Sequence, residues 1–462
     1  MIRNLKPYES YRKINLNWLD KIPSHWNVVN NIEIWAERNK KNCADEELLS
    51  VTINKGVIRQ KDLLSSTSKK DSSNTDKSNY KYVERNDIVY NKMRMWQGAV
   101  GVSNFRGIVS PAYIVLKPRI EINPKYYHYL LRTPYYVGES YRFSYGICDD
   151  QLSLRYEDFK RMKNIMPPKY EQDQIVKYLD YKLAKINKFI KAKKRLINVL
   201  KEQKQAVINE AVTKGLNPNV KMKPSGIDWL GNIPEHWEIR RIKTILKDST
   251  FTVTDKLPNE IYLGLENVES WTGKIVDVQE DVSFDSQTKK FNVDNILFGK
   301  LRPYLAKVVI PNQPGVCSTE FLVLKRIDDS FLLKYLEFHL RSKSVIDIIT
   351  SSTYGAKMPR ADWGFIGNLK VALPSTIEEQ QEIIDFITEQ TKVIDKRISI
   401  AEKEIDLIIE YRTRLISDVV TGKIDVRGIE VDDVFEEDME LDNVEEELEE
   451  HEEAFDVEEC EV

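Results

Sequence analysis

The feature that most limits what this chain of 462 residues can fold into is a duplication of nearly its whole length. Trp18-Leu19-Asp20-Lys21-Ile22-Pro23-Ser24-His25-Trp26 returns as Trp229-Leu230-Gly231-Asn232-Ile233-Pro234-Glu235-His236-Trp237. Asp87-Ile88-Val89-Tyr90-Asn91-Lys92-Met93-Arg94 returns as Asn295-Ile296-Leu297-Phe298-Gly299-Lys300-Leu301-Arg302. Tyr145-Gly146 returns as Tyr354-Gly355, and Ile208-Asn209-Glu210-Ala211-Val212-Thr213 as Ile416-Ser417-Asp418-Val419-Val420-Thr421. The separation stays between 208 and 211 residues, so whole domains are repeated rather than the short units of a solenoid. Two like domains on one chain suit a partner that is itself in two parts.

The net charge of −4 hides an asymmetry. Residues 430–462 hold 19 Asp or Glu and no Lys or Arg, which leaves 54 acidic against 69 basic residues in 1–429. A body of formal charge +15 with a separate acidic tail is expected of nucleic-acid binders. The other reading is a solvated surface with a solubilising tail. No apolar run approaches the ~20 residues needed to cross a bilayer, and residues 1–7 lack the apolar stretch of a secretory signal. Cys43, Cys148, Cys317 and Cys460 are scattered, with no Cys-x-x-Cys pair, which points to reduced thiols in a cytoplasm.

Each copy begins with short β-like runs bounded by Gly, Pro, Asn and Ser: 87–90 and 112–116, then 295–298 and 320–324. Helical stretches at 126–131 and 332–340 interrupt them. A long helix closes each copy, opening beyond Pro167-Pro168 and beyond Pro374. Its seam carries Ile175, Leu179, Leu183, Ile186, Ile190, Ile197 and Leu200 in the first copy, with Lys193 and Lys204 at seam positions. In the second it carries Ile383, Ile387, Ile394, Ile398, Ile405 and Ile408. Spacings of three and four sustained in this way are a coiled-coil signature, and about 40 helical residues make a rod of roughly 60 Å. The expected fold is mixed α/β: two α+β domains separated by two long helices that form an antiparallel coiled coil, with pseudo-two-fold symmetry. The expected boundaries are 1–166, 167–214 (first spacer helix), 215–373, 374–424 (second spacer helix) and 425–462 (acidic, disordered tail).

Basic residues gather where turns should be. Lys92, Arg94 and Trp96 follow a strand in the first copy, and Lys300, Arg302, Tyr304 and Lys307 follow the matching strand in the second. Lys and Arg supply phosphate contacts, Arg also reads guanine edges, and an aromatic can wedge or stack. A surface turn with incidental charge is the alternative. The Tyr145-Gly146 and Tyr354-Gly355 turns form a second candidate surface, with Arg142 beside the first and Lys357 and Arg360 beside the other. Their flanks differ between copies, as base-reading side chains on one frame would, and as idle drift would. The polar stretch 65–78 is either a flexible excursion or a DNA-facing loop ordered by binding.

Catalytic motifs are missing. Pro167-Pro168 lies between Met166 and Lys169, without the preceding polar residue and following aromatic that hold a flipped-out adenine. No phosphate loop of the Gly-x-x-x-x-Gly-Lys-Ser/Thr type occurs, and the five histidines show no metal-ligand spacing. His25 and His236 sit in the repeated Pro-x-His-Trp turn and read as structural. No catalytic residue and no metal site are expected; a self-contained methyltransferase or nuclease, or a scaffold without a DNA role, are the competing classes.

The segment Ser225-Gly226-Ile227-Asp228-Trp229-Leu230-Gly231-Asn232-Ile233-Pro234-Glu235-His236-Trp237-Glu238 resembles the opening of a target-recognition domain in specificity (S) subunits of type I restriction–modification enzymes. Residues 18–26 are a weaker version, and Val420-Thr421-Gly422-Lys423-Ile424-Asp425-Val426-Arg427 resembles the end of those subunits' second spacer helix. The resemblance covers about residues 8–428 and leaves out the acidic tail. It implies a non-catalytic subunit whose two domains each read half of a split double-stranded DNA sequence. Two modification subunits, which use S-adenosylmethionine, would bind the spacer helices. Restriction subunits, using ATP and Mg, would join to translocate and cut. No cofactor is expected on this chain itself.

Overall fold

The computed structural model describes residues 5–53, 55–66, 76–249, 251–253, 260–276, 278, 287–353 and 358–432. The chain divides into two compact units, 1–194 with 403–462 and 195–402. The division falls within the long helices Lys169–Lys214 and Ile377–Val420, not at their starts.

In the first unit a four-stranded antiparallel sheet runs in the order Trp35–Glu37, Tyr113–Pro118, Ile88–Asn91, Val100–Val102. Its central strands are apolar at successive residues because both faces are covered. Ile88, Tyr90, Ile114 and Leu116 join a core with Ile175, Leu179 and Leu183 of the first long helix. Val89 and Val115 face a smaller core with Leu49, Val57 and Val109. Side-chain alternation therefore serves two cores rather than core and solvent. The helix Pro124–Leu131 covers the larger core, its first turn set by Pro124 and by the Asn123 side chain, which accepts from Lys125 N at 3.0 Å.

The second unit repeats this wiring. Its sheet runs Leu246–Asp248, Phe321–Arg326, Asn295–Gly299, Val308–Val309, again antiparallel. Ile296, Phe298, Leu322 and Leu324 pack with Ile208, Val212, Ile383 and Ile387, while Leu297 and Val323 face Ile261, Leu263 and Phe291. Fully buried residues such as Ile88 and Ile296 each contribute roughly 1.5–3 kcal/mol.

Within each unit, segments of the two long helices pair antiparallel. In the first unit Ile175, Leu179 and Leu183 share a core with Leu415 and Val419, and Lys193 Nζ donates to Glu404 Oε2 at 2.5 Å. In the second, Ile208 and Val212 share a core with Ile383 and Ile387, and Lys204 Nζ donates to Asp395 Oδ1 at 2.6 Å. Ile175, Leu179, Leu183, Ile186, Ile197, Leu200, Ile383, Ile387, Ile394 and Ile405 are buried; Ile190, Ile398 and Ile408 are half-buried. The two lysines at seam positions each reach a carboxylate on the facing helix.

The Pro-x-His-Trp turn is a clamp on the start of each long helix. In the first unit, buried Glu171 accepts from Trp26 Nε1 at 2.9 Å and from Tyr8 Oη at 3.0 Å, and its Oε1 lies 2.5 Å from His25 Nε2. In the second, Glu379 accepts from Trp237 Nε1 at 2.9 Å and lies 2.8 Å from His236 Nε2. The other long helix ends against the same turn. Gly422, with φ +74°, has no room for a Cβ, which would fall 2.6 Å from Pro23 and 2.8 Å from Trp26. Gly215, with φ +76°, takes the corresponding place, where a Cβ would fall 3.3 Å from the Trp237 ring. Left-handed backbone and close approach together require glycine at both places.

The chain beyond the second long helix corrects the expected tail boundary at 425. Asp425 N donates to Lys6 O at 2.8 Å, Val426 is buried, and Gln174 Nε2 donates to the carbonyls of Val426 and Ile429 at 3.1 and 2.6 Å. An apolar residue at 426 holds this stretch to the first unit before the acidic run begins. Residues 433–462 of that run, and 67–75 of the polar stretch, lie outside the described residues. Cys43, Cys148 and Cys317 are free, and burial pushes the Cys317 thiol up to about 12; Cys460 is not among the described residues.

Candidate nucleic-acid interface

The two basic loops are fixed by the same backbone bonds. Lys92 N donates to Ala112 O at 3.1 Å, and Lys92 O accepts from Leu154 N at 2.8 Å. Lys300 N donates to Glu320 O at 2.8 Å, and Lys300 O accepts from Ala361 N at 2.9 Å. Each loop is thus stitched to a neighbouring strand and to the segment that follows the second candidate turn. In the first copy the two surfaces expected separately are therefore one, and in the second the basic loop is joined to the segment that carries Arg360.

In the first unit the 3₁₀ turn Met95–Gln97 is pinned by buried Met95. The indole of Trp96 donates to Met93 O at 3.0 Å and meets the Tyr141 ring edge-on at 5.9 Å. Arg94 is exposed, and among the described residues its side chain bonds the neutral amide of Gln97, at 3.1 Å. Neither Arg94 nor the half-buried Lys92 has a carboxylate partner among the described residues. Arg142 differs, since its guanidinium bonds Glu139 at 2.7 Å. Tyr145 pairs with Ser153 through reciprocal backbone bonds of 3.2 and 3.0 Å and holds its ring in solvent.

In the second unit the turn is Pro303–Leu305, flanked by Arg302 at φ +51° and Ala306 at φ +48°. Two non-glycine residues in left-handed backbone cost ~1–3 kcal/mol each, strain of the kind that clusters at functional sites. Arg302 N donates to Pro359 O at 2.8 Å, while its buried Nε has no partner among the described residues. Tyr304 is exposed. Lys307 is half-buried: its Nζ donates to Leu265 O at 2.7 Å, and burial lowers its pKa. Arg360 is bound to Glu320 through two bonds of 3.1 and 3.2 Å. Tyr354 and Lys357 lie outside the described residues.

Among the described residues Lys92, Arg94, Lys300 and Arg302 have no carboxylate partner, whereas Arg142 and Arg360 are exposed but paired with Glu139 and Glu320, and Lys307 is bonded to a backbone carbonyl. The acidic clamp formed by Glu171 and Glu379 was missed in the sequence, although the two residues stand at the common 208-residue shift. An acidic residue in a first helical turn reads as an ordinary partner for the helix dipole.

The family described as "Type I restriction modification DNA specificity domain" matches residues 23–201 and 234–408, and the chain belongs to it, with two copies of that domain. Among curated relatives, the type I restriction enzyme EcoDI specificity subunit of Escherichia coli is 26% identical over 256 residues, 50% of this chain and 55% of that subunit. The chain thus spans about half the length of that relative. The MjaVIII specificity subunit of Methanocaldococcus jannaschii is 25% identical over 391 residues, 75% of this chain and 81% of that one. A solved structure described as "Structural basis underlying complex assembly and conformational transition of the type I R-M system" shares the fold, with TM-score 0.63 and 11% identity. That match covers 88% of this chain and 100% of the other. No helix among the described residues is long and apolar enough to cross a membrane.

Proposed function

We propose that this chain is the DNA-reading subunit of a type I restriction–modification enzyme and that each unit reads one half of a split target. The observation that carries the reading is the pair of identically stitched loops presenting Lys92 and Arg94 in one unit and Lys300 and Arg302 in the other. Cations on braced loops, with no carboxylate partner among the described residues, suit phosphate contact, and the arginines suit guanine edges. Methyl transfer from S-adenosylmethionine to adenine, and ATP- and Mg-dependent cleavage, belong in this reading to separate modification and restriction chains in the cytoplasm. The chain itself acts by recognition and carries no catalytic group.

The long helices are the surface for two modification subunits. In the second unit Phe386, Val393 and Ile400 repeat every seven residues along Ile377–Val420, exposed at the flank of the buried seam. Exposed apolar residues at heptad spacing fit a further helix laid alongside. The direct test is DNA binding by the assembled modification complex as salt is raised. The reading predicts affinity falling steeply and linearly on logarithmic axes, with a preference for one split sequence. Binding indifferent to sequence and salt would contradict it.

A further inference from the structure

Ile147 is 94% exposed, more than any other large apolar side chain among the described residues. Tyr145, two residues before it, is 76% exposed, and Tyr141 also lies at the surface. Single exposed apolar residues are common and need no explanation, but two at the tip of a braced loop are different. The bracing is extensive. Tyr145 and Ser153 exchange backbone bonds, Gln151 N donates to Cys148 O at 2.9 Å, and Leu152 N donates to Asp149 O at 3.2 Å. Tyr141 Oη donates to Asp149 Oδ1 at 3.0 Å. Gly146 lets the loop double back, since a Cβ there would lie 2.7 Å from the Gln151 carbonyl. The loop pays little further ordering entropy on contact, which favours a rigid probe over a slack excursion.

The same surface selects what the tip meets. Leu154 ties the far side of this loop to Lys92, and Tyr141 packs edge-on against Trp96 of the basic turn that carries Arg94. The apolar tip therefore shares a frame with two cations that have no carboxylate partner among the described residues. A duplex meets both demands: phosphates face Lys92 and Arg94, and the C5 methyl of thymine offers apolar surface on a base edge in the major groove. The geometry points to Ile147, backed by Tyr145, as a specificity-determining apolar contact with a thymine methyl in the half-site read by the first unit. This inference rests on the proposed function and adds to it a base-reading residue that carries no charge.

The test uses the complete complex with its modification subunits, after the recognised sequence has been read from the adenines it methylates. Ile147→Ala should weaken binding to that sequence about tenfold while leaving affinity for unrelated duplex and the salt slope unchanged. Replacing thymines of the half-site with deoxyuridine one at a time removes only the methyl group. One replacement should reproduce the loss in the unaltered protein and cost nothing further in the variant. Alkylation of the adjacent, exposed Cys148, followed by peptide mapping, should slow on the recognised sequence alone. Unchanged affinity of Ile147→Ala, or losses that add at every thymine, would overturn the inference while leaving the proposed function intact. Weakened capture of modification subunits with unaltered DNA affinity would assign the tip to a protein contact and also overturn it. A complex that prefers no sequence at all would remove the proposed function first.

Discussion

The hydroxyl of Tyr126 donates to the backbone carbonyl of Val420 at 2.8 Å, across 294 residues of sequence. Tyr335 makes the corresponding bond to Val212 O at 3.2 Å. Each tyrosine sits on the helix that covers a domain's main core, and each carbonyl belongs to the last turn of a long helix, where no intrahelical donor is left. The duplication thus conserves its joints as well as its domains. Tyr126→Phe and Tyr335→Phe should each lower the stability of their own unit by ~1 kcal/mol and leave the other untouched. Hydrogen exchange resolved by segment would show it; a loss in both units from one substitution would contradict the separate joints.

The clamp predicts an unequal pair. Glu171 is fully buried and serves Tyr8, Trp26 and His25, whereas Glu379 is partly exposed and serves Trp237 and His236. Glu171→Ala should cost ~2–4 kcal/mol because it strands buried donors, and Glu379→Ala about half as much, since water can replace the carboxylate. Urea unfolding followed by the fluorescence of the clamp tryptophans measures both. Equal losses would mean that burial does not set the cost.

Acid should weaken the second unit through His339. This ring is buried against Ala372 O at 3.3 Å, and burial lowers its pKa from 6.5 to about 4. Between those values the unfolded chain binds a proton that the folded one does not. Stability is therefore full above pH 6.5 and lost as pH falls toward 4, by ~1.4 kcal/mol per pH unit. Leu130 takes the corresponding place in the first copy, so His339→Leu should flatten the acid limb of the second unit. An acid limb unchanged in His339→Leu would show that other groups control it.

Lys204 and Asp395 test how a charge is tolerated in the helix seam. Lys204 is buried and Asp395 partly exposed. Asp395→Ala should cost ~1–3 kcal/mol by leaving a buried ammonium unpaired, whereas Lys204→Met, which completes the apolar seam, should be neutral or stabilising. Thermal unfolding of the two variants compares them directly, and a larger loss from Lys204→Met would refute the argument.

The strands and seam were legible because burial on both sides makes unbroken apolar runs, and helix pairing imposes spacings of three and four. Ile88-Val89-Tyr90 and its copy Ile296-Leu297-Phe298 show the first, Ile175-Leu179-Leu183 the second. What hid in the sequence were bonds between distant residues. Nothing in the sequence pairs Lys307 with the carbonyl of Leu265 or Arg360 with Glu320. Arg132 and Arg341 hold the turns at Gly56 and Gly273 through the carbonyls of Ile53 and Trp271, at 2.6 and 2.9 Å. That pairing escaped because the turns lie where the copies diverge most in length. Ile147 was passed over because apolarity at a loop tip has no meaning without its exposure.

The central claim is the division of labour between Arg94 and Arg302. The most direct measurement is the genome-wide pattern of methylated adenines in cells that carry the modification subunit with either Arg94→Ala or Arg302→Ala. The account predicts that each variant relaxes sequence preference in a different half of one split target while the other half stays intact. If both substitutions relaxed the same half, or if neither altered the methylated sequence or its occupancy, the assignment of one half to each unit would be wrong.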